Sequence, residues 1–422
     1  MTQSNGSMIS HRWIGSISLS VLLAAACVSG LAGMSAAADK PKQEVSRVIA
    51  KEMTAAQKAL AAQQWAEAIK NLDAAEQKSG LTTFDKKTID DFRGFAYIKL
   101  NNLKSAQTNY EAAMATGGYT PEEAAQTIKK LFRISASNQQ YPKAIEYGKQ
   151  MAEAGNATSD DLGLISQLYY LQKDCKNSGA WTDKAVAAAR KAGEPVKENW
   201  FQFKLQCASD AGDTPGMIPV LVDLIRLTNK TTYWNDLLRI ERQDERDDHN
   251  TLMLYRVMFN TNSMTEGSDY IEMSQLLGDA ALPGEAFAVL DKAMSTGLIK
   301  PEQKERTTRL LNSLKARADT DRKGLPQEEA DAAKSASGEL GVKLGEVEYG
   351  FGDYQKTVDA ITAALQKGQI KHQDEAYVYL GLAQVQLKNN AEAKKAFANL
   401  KNVPNISPRV LKLYDLYGAT LS

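Results

Sequence analysis

Apolar residues recur along most of this chain with the spacing of an α-helix, and short polar segments interrupt them at similar intervals. The segments 92–97, 344–349 and 379–383 show the helical spacing most clearly. Ala, Lys, Gln, Glu and Leu, which favour helices, are abundant, whereas runs of β-branched residues are scarce. The pattern predicts an all-α protein made of amphipathic helices.

A turn motif repeats between these helices. It combines a polar turn, a large side chain and small residues three and ten positions later. The first five copies begin at Gln63, Asn101, Gln139, Lys173 and Gly212, and later copies begin at Leu282, Phe351 and Asn389. A nearly constant interval between copies of such a motif is typical of helical hairpins that stack side by side, because one hairpin cannot bury its apolar face alone.

Three of the predicted helices carry a glycine near their middle, at Gly94, Gly345 and Gly381. A glycine in a helix costs about 1 kcal/mol relative to alanine. Its recurrence at similar places predicts that a neighbouring helix passes close to the backbone there.

The turns and glycines together resemble the tetratricopeptide repeat family. Its consensus has Leu-Gly in the first helix, Gly-Asp-Tyr at the turn and small residues in the second helix, although Thr357 stands where the family has Ala. The residues that match best are Leu344, Gly345, Gly352, Asp353, Tyr354, Ala364, Leu380, Gly381 and Ala393. The resemblance spans residues 45–402 and implies a right-handed superhelical α-solenoid of about ten antiparallel helix hairpins.

The resemblance is uneven along the chain. We expect N-terminal hairpins in 39–230, degenerate hairpins of the same array in 231–340, and C-terminal hairpins with a capping helix in 341–422. Residues 301–337 are predicted to form a polar pair of helices with a break at 322–326. The charged run 241–248 is predicted to be a solvated face or loop.

Residues 1–38 have the features of a secretory signal peptide. His11 and Arg12 precede the apolar stretch 13–31, and small residues end the segment before Asp39. An uncleaved membrane anchor is one alternative, and acylation of Cys27 after Ala24–Ala26 is another. Each interpretation predicts a location outside the cytoplasm, in the periplasm or anchored by lipid in the envelope. The signal, the length and the irregular array together are similar to periplasmic repeat proteins that accompany TonB–ExbB–ExbD-type systems.

The charge balance and the candidate catalytic and metal-binding motifs argue against several classes of function. The chain has 51 basic and 51 acidic residues, a balance that argues against nucleic-acid binding. Neither His249 nor His372 has metal-ligand spacing, and the Gly-Phe-Gly at 350–352 lacks the rest of a dinucleotide-binding motif. We therefore expect no catalytic residues, metal or cofactor, and no evident small-molecule substrate.

Cys175 and Cys207 are the two cysteines beyond the signal region, separated by about the length of one repeat. Their positions at a turn and in the next first helix allow a disulfide between neighbouring hairpins, which an oxidising compartment permits. Two buried free thiols are the alternative.

In the repeat family, the concave face comes mainly from first helices and commonly binds peptides or protein segments. Carried to this sequence, that implies a face formed by Asp91, Phe95, Lys99, Lys129, Arg133, Gln167, Tyr170, Gln202, Gln206, Glu346, Tyr349 and Tyr379. The expected partners are periplasmic or envelope proteins or peptide segments, with membrane contact only if Cys27 is lipidated or the signal is retained.

The leading hypothesis is a non-enzymatic, exported scaffold for envelope proteins, serving an energy-coupled uptake apparatus. An envelope-assembly or polysaccharide-export lipoprotein is a second hypothesis. A cell-wall hydrolase is a third, which requires region 231–340 to form a cleft with converging acids.

Overall fold

The computed structural model describes residues 44–243, 245–404 and 406–422, and Ser46–Ser422 form one compact unit. The predicted signal peptide and Cys27 lie outside the described residues. In these ranges the chain forms twenty α-helices, a short 3-10 turn at Leu400–Asn402 and no β-strand. The all-α prediction is therefore confirmed.

The helices run in chain order with short connections. They are α1 (Ala50–Ala61), α2 (Trp65–Glu76), α3 (Thr83–Lys99), α4 (Leu103–Ala115), α5 (Pro121–Ser137), α6 (Tyr141–Glu153), α7 (Ser159–Leu171), α8 (Cys175–Ala192), α9 (Glu198–Asp210), α10 (Thr214–Thr228), α11 (Thr231–Gln243), α12 (Asp248–Asn260), α13 (Gly267–Asp279), α14 (Pro283–Ser295), α15 (Pro301–Lys334), α16 (Glu339–Gly350), α17 (Tyr354–Lys367), α18 (Gln373–Gln386), α19 (Asn390–Asn399) and α20 (Pro408–Thr420). Among the described residues, no helix combines the length and the apolar character needed to cross a membrane.

Consecutive helices pack as antiparallel hairpins, and each hairpin packs on the next. Helices α1 to α14 make seven hairpins and α16 to α19 make two more, while α15 and α20 belong to no hairpin but pack on neighbouring helices. The fold is an all-α solenoid of stacked hairpins, as the turn spacing predicts.

The turns within the first hairpins share one backbone geometry. Gln63, Asn101, Gln139 and Lys173 each have a positive φ between 56° and 61°. At the first turn, the amide of Gln64 donates to the carbonyl of Ala59 at 2.8 Å, and that of Gln63 donates to Leu60 at 3.1 Å. This pair of hydrogen bonds defines the Schellman motif at the end of a helix. The motif requires a residue in the left-handed conformation, and Gln63 supplies it at the first turn.

The starts of three first helices also repeat. Thr82, Thr120 and Thr158, which follow one another at the interval of the repeat, each accept a hydrogen bond from the backbone three residues on. The acidic residue at that position binds the amide of the threonine in return, which completes a capping box. Each cap typically stabilises its helix by about 1 kcal/mol.

The mid-helix glycines lie where the sequence analysis expects close packing. A Cβ atom on Gly345 would lie 2.5 Å from Ile361 of α17, and one on Gly381 would overlap the ring of Phe397 in α19. These glycines therefore set the distance between the two helices of their hairpins.

The structure of region 301–337 differs from the prediction of two helices. Instead of two helices broken at 322–326, α15 is a single helix of 34 residues with Pro326 inside it. A proline removes one backbone hydrogen bond but does not have to end a helix whose other residues are held by packing. Leu325 and Ala332, on either side of Pro326, are buried in a cluster with Leu344 of α16, which keeps the helix continuous.

The last helix also departs from a simple stack, because α20 packs against α10 and α12 as well as α19. Arg409 of α20 binds Glu241 at 2.8 Å and Glu245 at 3.3 Å. These two acids belong to the charged run 241–248, so the expectation of a solvated run is wrong for them. The contact joins distant parts of the chain, since Arg409 and Glu245 lie 164 positions apart in sequence.

Close packing at Gly381 generates the first prediction. Gly381→Ala should lower the free energy of unfolding by about 1–3 kcal/mol, a typical cost of overpacking, since Tyr414 and Tyr417 hold the Phe397 ring from the other side. Urea unfolding followed by circular dichroism measures this.

Gly179→Ala in α8 is the matched control, because its Cβ would meet one atom of Lys204 at an ordinary 3.8 Å. That variant should be neutral or stabilised by up to about 1 kcal/mol. Equal destabilisation by both substitutions would contradict the close-packing explanation.

Candidate partner-binding surface

An open groove of about 750 Å³ runs across α7, α9, α10 and α11. Its lining mixes aromatic, aliphatic and polar side chains. They are Tyr170, Gln202, Phe203, Leu205, Gln206, Ser209, Met217, Tyr233, Asp236, Arg239 and Ile240.

The groove is built on repeated geometry. Helices α7, α9 and α11 are the first helices of the fourth, fifth and sixth hairpins, so their exposed faces follow one another along the stack. Three residues predicted for the partner-binding face, Tyr170, Gln202 and Gln206, line this groove together. Tyr233 and Arg239 of α11 complete it, and the sequence analysis missed them because the repeat signature is weak in region 231–278.

Aromatic side chains form the apolar part of the groove. The rings of Tyr170 and Phe203 stack with centroids 5.1 Å apart and planes at 28°. Tyr233 is buried at its base, where its hydroxyl donates to Glu198 at 2.6 Å and accepts from Gln202 at 2.9 Å. Rings fixed by such contacts lose little conformational freedom when they bind a partner.

Glu198 organises the polar edge. Lys230 binds both of its carboxylate oxygens at 2.7 Å. Hydrogen bonds from Lys230 and then Tyr233 lower the pKa of Glu198. The ionised carboxylate therefore fixes Tyr233, while the exposed amides of Gln202 and Gln206 face the groove.

The predicted face residues of the earlier hairpins form contacts between repeats. Phe95 packs edge-on against Trp65 at 6.0 Å, and Lys99 lies over the Phe95 ring. Asp91 accepts a hydrogen bond from the hydroxyl of Tyr119, and burial raises its pKa.

Further along the stack, Lys129 and Arg133 both bind Asp161 of α7, at 3.4 Å and 2.5 Å. Gln167, on the same helix, is half-buried. These residues are partly exposed, and most of them link one hairpin to the next.

Glu346, Tyr349 and Tyr379 do not lie on an open face. They are 5%, 9% and 0% exposed, so their assignment to a partner-binding surface is wrong. They occupy first helices as the repeat pattern implies, but α16 packs on both α14 and α18, and that packing covers the face.

The covered region contains a buried ionic cluster that the sequence analysis missed. Arg256 of α12 binds both carboxylate oxygens of Glu285 at 3.3 Å and 3.4 Å. Tyr379 donates to Glu285 at 2.6 Å, and its ring lies 4.4 Å from the Arg256 guanidinium. A lone arginine within the apolar run 252–258 was the available signal. All three side chains are buried, so the converging charges face one another inside the protein.

Within the ranges that the structure covers, no group of three or more His, Cys, Asp or Glu side chains is arranged to hold a metal ion. The groove itself presents one carboxylate, one guanidinium and two side-chain amides beside its aromatic rings. This set suits recognition of a polypeptide, whose backbone offers amide donors and acceptors and whose side chains offer apolar area.

Cys175 at the start of α8 and Cys207 in α9 form a disulfide, with Cα atoms 5.6 Å apart. Cys207 directly follows Gln206 of the groove. The bond therefore holds α9 against the preceding hairpin beside the candidate site.

Comparison with known proteins finds no matching family model and no matching curated protein. Among solved structures, a tetratricopeptide repeat protein from Parabacteroides merdae is 12% identical with a TM-score of 0.33, over 64% of this chain and 99% of its own. The C-terminal part of a TPR repeat-containing protein from Cytophaga hutchinsonii is 13% identical with a TM-score of 0.32, over 85% and 97%. The TPR2AB domain of yeast Sti1, solved as a complex with pHSP90, is 12% identical with a TM-score of 0.28, over 63% and 98%. At these identities the likeness concerns the fold alone, and no ligand is transferred to this chain.

The disulfide generates the second prediction. Replacing both Cys175 and Cys207 by Ser should lower the free energy of unfolding by about 3–4 kcal/mol, because the bond closes a loop of about one repeat in the unfolded chain. Thermal unfolding of both proteins, with and without a reductant, measures the effect.

A reductant should destabilise the parent protein and leave the double-serine variant unchanged. Alkylation followed by mass spectrometry provides the control, by showing two blocked sulfurs before reduction and two free thiols after it. Free thiols in protein purified under oxidising conditions would contradict the prediction.

Proposed function

We propose that this protein is a non-enzymatic scaffold whose groove across α7, α9 and α11 binds an extended segment of a partner protein. The observation that carries the proposal is the alignment of Tyr170, Phe203 and Tyr233 with the amides of Gln202 and Gln206 in one open groove. Three consecutive first helices supply these groups.

The aromatic rings provide the main binding energy. Tyrosines and other large aromatic residues are enriched among the residues that dominate protein interfaces, because they offer large contact area at a low cost in conformational entropy. Tyr170 and Phe203 already stack on each other, and Tyr233 is held by Glu198 and Gln202. An apolar side chain of the partner would pack on these prearranged rings.

The amides provide orientation. The side-chain nitrogens of Gln202 and Gln206 donate to Glu198, Tyr233 and Asp210, which fixes both amides. Their carbonyl oxygens can then accept hydrogen bonds from the backbone of an extended segment. Asp236 and Arg239 offer one charge of each sign. Binding should therefore depend only weakly on salt, unlike recognition of a strongly charged partner.

The third prediction tests the groove with a library of random peptides displayed on phage and selected on the folded protein. Peptides enriched on the parent protein should bind Tyr170→Ala about 5- to 100-fold more weakly, the range expected when an aromatic anchor is truncated. Isothermal titration calorimetry with the synthetic peptides measures the affinities.

Tyr377→Ala is the matched control, because Tyr377 is also half-buried but lies on α18, away from the groove. That variant should keep the affinity of the parent. Enriched peptides that bind the Tyr170→Ala and parent proteins equally would refute this site.

We further propose that the chain is exported and that its partners are envelope proteins, including components of an energy-coupled uptake apparatus. The signal-like segment 1–38 supports export. The disulfide also supports it, since such bonds persist mainly in oxidising compartments.

The fourth prediction concerns the mature terminus. Mass spectrometry of the protein recovered from its native cells should find a chain that begins at Asp39 in the periplasmic fraction. A diacylglycerol-modified Cys27 in the membrane fraction would replace this proposal with the lipoprotein alternative. An intact Met1 in the cytoplasmic fraction would refute export.

A further inference from the structure

The C-terminal hairpins return to the middle of the array and close on it. Tyr414 of α20 donates to the backbone carbonyl of Met253 at 3.0 Å, and Gln386 of α18 donates to Asn260 at 2.9 Å. A stack of repeats needs contacts only between neighbours. The closure is therefore an interaction beyond those that a repeat stack requires.

His249 lies at the edge of this closure. At the start of α12, its Nε2 atom is 2.6 Å from a carboxylate oxygen of Asp374, and its Nδ1 atom is 3.2 Å from one of Glu375. Both acids belong to the first turn of α18. Because both ring nitrogens face carboxylates, the ring must carry a proton on each nitrogen to satisfy them.

Glu346 of α16 completes the group from a third helix. It is 5% exposed, and its Oε1 atom has no hydrogen-bond partner among the described residues. Burial, together with the charge of nearby Glu375, raises the pKa of Glu346 to about 8, while Arg256 and Lys343 oppose the shift. At neutral pH the buried carboxyl is therefore protonated.

Other charged or titratable groups lie near the cluster on the helices packed around it. His372, which precedes α18, places its ring 5.9 Å from that of His249. Arg256 of α12 is neutralised by Glu285 of α14. Tyr379 of α18 adjoins this pair, and burial raises its pKa well above the ordinary value, so it stays neutral across the physiological range.

We propose that His249, Glu346, Asp374 and Glu375 form a pH-dependent latch, which holds α12 against α16 and α18 at mildly acidic pH and releases them as the pH rises. The cluster joins α12 to two helices that lie far from it in sequence, α16 and α18. Its net charge is only −1 while His249 and Glu346 both keep their protons, because one imidazolium faces the carboxylates of Asp374 and Glu375. Ionisation of Glu346 would place an unpaired charge in the interior, beside the carboxylate of Glu375.

The direction of the pH dependence follows from each group. Hydrogen bonds to Asp374 and Glu375 raise the pKa of His249 from 6.5 to about 10, so its contribution to closure is complete below about pH 6.5 and is lost as the pH rises through 10. The contribution of Glu346 is complete below its ordinary pKa of 4.5 and is lost as the pH rises through 8. Burial raises the pKa values of Asp374 and Glu375, but the hydrogen bonds and charge of His249, together with smaller contributions from neighbouring groups, lower them overall. Their contributions are therefore lost below about pH 4. Closure is therefore strongest near pH 4.5 and weakens progressively as the pH rises.

Release would reach the groove through the chain itself. Helix α11, which carries Tyr233 and Arg239, leads directly into α12 and His249. A change in the position of α12 therefore shifts one wall of the groove. The latch does not depend on a bound partner, so it can be tested on the protein alone.

A pair of pyrene labels tests the latch. Asp248 and Lys371 are exposed neighbours of His249 and His372, so cysteines at both positions bring two pyrenes together, while the native disulfide stays intact without reductant. Excimer emission, which requires the labels to touch, should be high at pH 6 and should fall severalfold and reversibly, with a midpoint near pH 8.

Glu346→Gln in the labelled protein keeps a neutral side chain at every pH, so the midpoint should move upward by about one pH unit or more. His249→Gln should reduce the excimer signal already at pH 6. Glu392→Gln, at an exposed site on α19, should leave the profile unchanged, as should the parent sequence labelled at Lys143 and Glu111 in the N-terminal hairpins.

An excimer signal that stays constant from pH 6 to 9 in the labelled parent would overturn the latch. So would a Glu346→Gln profile identical to that of the parent. If Glu346→Gln failed to fold, as judged by circular dichroism at pH 6, the parent profile and His249→Gln would still decide the question.

Discussion

The structure depends on one constraint, namely that a pair of thin helices cannot bury its own apolar face. Each hairpin must therefore lie close to the next along its whole length, and small side chains make that approach possible. Ala68, Ala106 and Ala144 occupy equivalent positions in three successive second helices, and all three are completely buried. A larger residue at any of them would force apart two helices whose packing supports every later hairpin.

This local constraint explains why so much of the fold is visible in the sequence. Turns such as those at Gln63 and Asn101 and close contacts such as that at Gly381 repeat with the hairpin, so their spacing reports the architecture. The closure by α20 leaves no such trace, because Tyr414 and Met253 lie 161 positions apart in sequence and belong to no period. The break expected within α15 is wrong for a related reason, since the packing of Leu325 outweighs the local signal of Pro326.

The same distinction between repeated features and long-range contacts applies to the residues predicted for the candidate site. Tyr170, Gln202 and Gln206 could be predicted because first helices repeat and their faces stay open in the middle of the array. Glu346 and Tyr379 also lie in first helices, yet they are buried. Position within a repeat identifies the face of a helix, and only the long-range path of the chain determines whether that face stays open.

The groove lies where the simple stack of N-terminal hairpins meets the C-terminal part of the chain, which α20 closes against α10 and α12. On one side, the Cys175–Cys207 disulfide fixes α9 to the hairpin before it. On the other, Arg409 of α20 holds Glu241 at the end of α11. Both walls are thus tied to structure outside the groove, which reduces the ordering that a bound segment would require.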